Sequence, residues 1–182
     1  MGKSILTRSI IVIILTFCVT GCSSTKSVVW KAQDFTFSNS KTFEILPVFN
    51  ATDSPVKQDI IVFLTAQLKN QLAKQNLQVN DISQTQSGVL NVQSDILVYE
   101  YVTQSLEGSI SFSVKCSLIT RLVDKSTKHV VATISTITIV PGKFRGDDLD
   151  KFILKKSAQE VAREVAKIML IKEPEPGIWQ NL

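Results

Sequence analysis

The sequence predicts an α+β fold. The expected form is a two-layer sandwich in which a mostly antiparallel or mixed sheet of about four to five strands carries two amphipathic helices on one face. Three observations predict it. Ile60, Leu64, Leu68 and Leu72 recur every four residues, and Leu149, Ile153, Ala158, Val161, Val165 and Ile168 form a second helical stripe. Between the stripes, SISFSVKCSL alternates strictly, with Ile110, Phe112, Val114, Cys116 and Leu118 on one side and serines and Lys115 on the other. The run Asp124-Lys125-Ser126-Thr127 then separates two strand-like segments in the manner of a hairpin.

Taken in order, VVWKAQDFTF (residues 28–37) has strand-forming residues and is expected as an edge strand or extended arm. TFEILPVFN (residues 42–50) is a short, nearly continuous apolar run, as in a strand covered by helices. Its Pro47 cannot donate a ladder hydrogen bond and marks a strand end or an edge. ATDSP supplies turn chemistry. A helix is expected from Pro55 to about Gln75, with Ser54 or Asp53 as its cap. Leu77 to Val79 reads as a short strand. Residues 89–102 alternate, with Leu90, Val92, Ile96 and Val98 on one face and a weaker phase at Ser94. The strand from Ser109 to about Val123 is followed by its partner from His129 to Val140. PGKFRG is a loop, and the second helix spans Asp147 to about Leu170, with Asp147, Asp148 and Asp150 in the turn where the helix dipole favours negative charge. Pro174 and Pro176 end helical structure before a tail that contains Trp179.

The first residues carry a different message. Lys3 and Arg8 precede an apolar run from Ile10 to Val19, about ten residues long, whereas a membrane-spanning helix needs roughly 20. Val19-Thr20-Gly21-Cys22 follows, and the chain then turns polar. That order resembles the lipobox of bacterial lipoproteins. The resemblance implies that the Cys22 thiol receives a diacylglyceryl group and that a peptidase, recognising Val19, Thr20 and Gly21, cleaves before Cys22. Two or more acyl chains anchor a protein durably where one does not. The partner implied is therefore a lipid bilayer, reached through acyl chains (palmitate among them) on Cys22. Ser23 stands where such lipoproteins carry Asp when they stay at the inner membrane, so the resemblance implies the outer membrane, facing the periplasm. The outer face of the plasma membrane is the alternative.

The domain boundaries expected are a signal peptide over 1–21, the lipidated cysteine with a polar tether and candidate edge strand over 22–41, the α+β domain over 42–171, and a Pro-rich tail over 172–182. The whole chain has a formal charge of +4. Loss of Lys3 and Arg8 with the leader brings it to +2, and the cations are scattered, so nucleic acid is not an expected partner. FEILPVFNAT before a helix, RLVDKSTKHVVA as a hairpin and SAQEVAREVAKIM as a closing helix are similar to a group of envelope lipoproteins. The group includes YajG-type lipoproteins, activators of penicillin-binding proteins and the amino-terminal domain of TolB. Lys128 replaces the glycine usual in that hairpin. The resemblance implies a fold and an envelope setting and carries over no catalytic residue.

The residues supply no reactive constellation. His129 is the single histidine and is expected at an exposed strand end. Cys116 alternates with apolar residues and is expected in the core rather than as a nucleophile. The aspartates at 147, 148 and 150 lack the ligand spacing of a calcium loop. No cofactor, metal or enzymatic activity is expected. The expected role is that of a non-catalytic accessory lipoprotein that binds an envelope protein. A carrier of a small apolar ligand or glycan is the alternative, and a cell-wall hydrolase the third reading. The candidate partner surface is the polar sheet face at Ser111, Ser113 and Lys115. Trp30 and Trp179 are expected to pack on the domain itself, with anchoring of a partner as the alternative.

Overall fold

The computed structural model describes residues 23–37, 42–53, 55–80, 88–106, 109–142 and 147–170. Nine elements follow in order: β1 (Ser24–Lys31), β2 (Thr42–Ile45), β3 (Phe49–Asn50), α1 (Gln58–Lys74), β4 (Gln78–Asn80), β5 (Val89–Leu106), β6 (Ser109–Asp124), β7 (Val130–Pro141) and α2 (Asp147–Leu170). The strands form one seven-stranded sheet in the order β1-β7-β6-β5-β2-β4, with β3 also pairing β5. β1 with β7, β7 with β6 and β6 with β5 pair antiparallel, while β2 is parallel to β4 and to β5, and β3 is parallel to β5.

The class is as expected, but the sheet has more strands than the four to five read from the sequence. Two changes account for the excess. Pro47 splits the first apolar run into β2 and β3, because its ring nitrogen has no proton for the β5 ladder. The segment over 28–37, read as an edge strand or an extended arm, contributes a strand, but β1 starts within the expected tether, pairing Ser24 with Ile139 and Ser27 with Thr136, and ends at Lys31.

Both helices cover the same face of the sheet. Ile60, Leu64, Leu68 and Leu72 of α1 and all six residues of the α2 stripe are buried, together with Phe43, Leu90, Ile96, Leu118 and Ile134 of the sheet. Alanines at 158, 162 and 166 are buried as well, which lets α2 approach the strands closely. α1 begins three residues later than expected. Lys57 occupies its N-cap without a side-chain bond, and the Ile60 N–H donates to the Lys57 carbonyl. Asn76, left-handed at φ 60°, closes the other end as the Leu77 N–H reaches back to the Leu72 carbonyl.

Some buried polar groups on the helix-facing side are paired, while the buried Thr136 Oγ1 has no hydrogen-bond partner. Ser94 and Thr120 share a 2.8 Å hydrogen bond, and Ser157 donates to Thr138 at 3.0 Å. The pairing explains why the apolar phase of β5 weakens at Ser94. A bulge between Ile96 and Val98 then shifts the phase. Tyr99, not Val98 as expected, therefore continues the inner face and packs on the core.

Candidate functional site

The sheet face away from the helices is open. Register places its residues in rows: Ser24, Ile139, Lys115 and Glu100; then Lys26, Ile137 and Ser117; then Val28, Ser135, Ile119 and Asp95; then Trp30, Thr133, Arg121 and Gln93. On the β1 and β7 side each row sets one exposed apolar side chain beside a polar one, the apolar ones being Val28 at 73%, Trp30 at 55%, Ile137 at 43% and Ile139 at 39% of full exposure. On the β5 and β6 side they end in charge pairs: Lys115 to Glu100 at 3.2 Å and Arg121 to Asp95 at 2.5 Å. β1 is also a sheet edge. Its inner side is tied to α2, where the Ser27 hydroxyl donates to Glu160 at 2.9 Å.

Ser113 and Lys115 lie on this open face as expected, at the end of β6 nearer Ser24, and Ser113 is half-buried. Trp30 lies on the same face, three rows away. It does not fill the core, because its strand position points it opposite to α2, the element that would cover it. For Ser111 the strand position is described but not the side chain. Cys22, Val19, Thr20, Gly21 and Trp179 lie outside the described residues. Sequence reasoning missed Ile137 and Ile139. The run ATISTITIV mixes apolar residues with threonine and serine on both sets of alternate positions, so alternation alone does not say which set is inside. Thr136 and Thr138 are the buried set.

Two other arrangements bear on chemistry. Tyr99 and Tyr101 both donate their hydroxyl protons to Asp150 Oδ1, each at 2.5 Å, beside the first turn of α2. Burial, and then the Asp150 carboxylate, push the Tyr99 phenol well above its ordinary range, so it stays a proton donor at neutral pH. Asp150 is thus occupied as an acceptor. Burial pushes the Cys116 thiol up to about 12, which keeps it protonated and poorly nucleophilic. His129 is exposed just after the β6–β7 turn. Among the described residues, no group of three or more His, Cys, Asp or Glu side chains is placed to hold a metal ion.

Beside the β4 edge, α1 and the β2 region enclose a groove of about 640 Å³ lined by Ile45, Pro47, Ile61, Val62 and Ala66, with Lys69 and Asn80 among its polar members. Among the described residues, no helix is long and apolar enough to cross a membrane.

No family model matches the chain, and no curated protein does. Solved structures do. The PelC dodecamer from Paraburkholderia phytofirmans has a TM-score of 0.52 and 11% identity, covering 76% of this chain and 98% of that one. Protein XCC0632 from Xanthomonas campestris, of the family model DUF330, has a TM-score of 0.52 and 13% identity over 72% of this chain and 84% of that one. A minor lipoprotein from Acinetobacter baumannii has a TM-score of 0.48 and 16% identity over 73% and 98%. The chain therefore adopts the two-layer α+β fold of PelC and of XCC0632.

Proposed function

We propose that this protein is a lipid-anchored, non-catalytic accessory protein of the bacterial envelope, held to the outer membrane on its periplasmic side by acyl chains on Cys22. It acts by binding an envelope protein that adds an extended segment to the β1 edge and covers Val28 and Trp30. One observation carries the reading: an exposed apolar strip lies on an edge strand that starts two residues after the lipobox cysteine. Exposed edge strands invite pairing with another chain, and native proteins normally blunt them with charge, proline or cover. β1 carries Lys26 and Lys31 but leaves Val28, Val29 and Trp30 between them.

A photo-crosslinking residue at Val28, in cells, tests the proposal. The expected result is one discrete adduct that Trp30→Ala abolishes, identified by mass spectrometry as another envelope protein or a second copy of this chain. The structurally similar PelC is a dodecamer, so the second copy is the first adduct to look for. If Val28 yields no adduct beyond what the same probe yields at exposed Ser126, the edge is not the binding surface.

The groove beside β4 favours the carrier reading as the second. A native mass spectrum of the purified protein that shows a bound lipid or glycan, lost on Ala66→Trp, would support it. An unliganded spectrum would sink it.

A further inference from the structure

Sheet register puts the start of β1 and the free end of the β5–β6 hairpin at the same end of the domain. Ser24 lies in one row with Ile139, Lys115 and Glu100. β7 stops at Pro141, opposite Ser113. The hairpin does not stop there. Its last four pairs run from Thr103 with Phe112 to Leu106 with Ser109, beyond the end of β7. From Lys115 to Ser109 it covers six residues, or about 20 Å at strand rise.

The anchor cannot keep pace with that length. Cys22 is two residues before Ser24, and two residues of chain reach about 7 Å at most. The hairpin therefore ends roughly 13 Å farther along the strand direction than the acylated residue can. Upright strands would drive the hairpin end into hydrocarbon, where backbone groups at an unpaired sheet edge have no partner. The domain must lean, laying the hairpin along the bilayer surface.

The hairpin has a suitable face. Phe112 and Tyr101 are diagonal neighbours on its helix side, 42% and 59% exposed. The Phe112 ring lies against Gly142, where a Cβ would come within 2.0 Å of it. The Tyr101 hydroxyl is held by Asp150. Tyr, with an apolar ring and a polar hydroxyl, settles at the membrane–water interface, and Phe is among the apolar residues that interfacial elements bury at the acyl boundary.

We propose that Tyr101 and Phe112 form a second membrane contact, seating the β5–β6 hairpin in the headgroup region of the bilayer to which Cys22 is anchored. This rests on the reading of Cys22 as the lipidated residue. The contact would fix the tilt of the domain and so decide which way the β1 edge faces.

The acylated full-length protein, reconstituted in phosphatidylethanolamine–phosphatidylglycerol vesicles, provides the test. An environment-sensitive fluorophore is attached through Thr103→Cys, exposed beside Phe112, or through Lys128→Cys at the opposite end. Cys116 is buried and stays unlabelled. Lipids bearing a shallow acyl-chain quencher should cut emission at position 103 by about half, since interfacial residues lie ~5–10 Å deep, and leave position 128 unchanged. Tyr101→Ser with Phe112→Ser should abolish the quenching at 103. Mass spectrometry of the Cys22 peptide reads the anchor separately. An acylated peptide with equal quenching at the two positions overturns the hairpin contact and leaves the anchor standing. A peptide without acyl chains overturns both.

Discussion

At one end of β6, Asp124 gathers a turn around itself. The Ser126 N–H and hydroxyl donate to its Oδ1 at 2.7 and 2.6 Å, the Thr127 N–H donates at 3.3 Å, and the Lys128 N–H donates to its carbonyl at 2.8 Å. Next to it, Lys125 Nζ meets the Glu44 carboxylate at 2.6 Å, with Glu44 buried. At the other end, β6 and β5 run on past the end of β7, and the exposed side chains described there include the aromatic rings of Phe112 and Tyr101. One strand thus joins an end closed by polar bonds to an end that shows apolar rings. The closed end is the one expected to carry stability, and the open end lies on the side where β1 begins at Ser24.

Four substitutions break or sharpen this contrast. The largest effect is expected at the closed end. Glu44→Ala removes the carboxylate paired with the largely buried Lys125 ammonium and should cost about 3 kcal/mol in urea unfolding. Glu44→Leu combined with Lys125→Met should recover most of that loss, because two apolar groups replace two charges. If Glu44→Ala costs nothing, the closed end is not what holds the sheet.

At the open end, Gly142→Ala should cost about 1 kcal/mol. Its Cβ would overlap the Phe112 ring, which can swing partly into solvent. Combining it with Phe112→Ala should remove the added cost, a non-additivity visible in a double-mutant cycle. Additive effects would mean that the ring does not sit on Gly142.

Lys128 holds φ 63°, the left-handed region where side chains are strained and glycine is not. Lys128→Gly should stabilise the protein by roughly 0.5 kcal/mol in thermal unfolding. No gain would show that the turn does not hold Lys128 in that conformation.

The smallest effect is a pH dependence. Hydrogen bonds from Ser126 hold the Asp124 carboxyl below its ordinary value. A depressed folded value means that its contribution is complete above the unfolded value of about 3.9 and is lost as pH falls through the folded one. Asp124→Asn should therefore shrink the difference in stability between about pH 5 and pH 2. An unchanged slope of stability against pH would remove Asp124 from that account.

Legibility in the sequence followed the range of the interactions. The stripes of α1 and α2 were readable because a helix exposes its neighbours in a local period, and the alternation at Val114, Cys116 and Leu118 was readable for the same reason. The β6–β7 turn was readable from Asp124 and Ser126, and the left-handed backbone at Lys128 accounts for the glycine usual at that position. Phe112 was expected in the core with Val114. It is 42% exposed because the hairpin outruns the core, which a pattern along one strand does not reveal. The bulge at Leu97 reversed the expected phase of Val98 and Tyr99, since a single extra residue exchanges the two faces. Of the candidate surface, Ser113 and Lys115 were placed correctly, while Ile137 and Ile139 were hidden in a run without polar alternation.

The sequence alone determined the two helices, the β6–β7 hairpin and the position of Cys22 where an apolar run gives way to a polar one. Each follows from side chains a few residues apart and from the covalent order of the chain. Only tertiary structure decided that residues 24–27 become an edge strand, that Thr136 and Thr138 go inside while Ile137 and Ile139 stay out, and that the long hairpin ends on the side where β1 begins. Those outcomes depend on pairing between segments more than a hundred residues apart, and on which sheet face α1 and α2 cover, neither of which leaves a period in the local sequence.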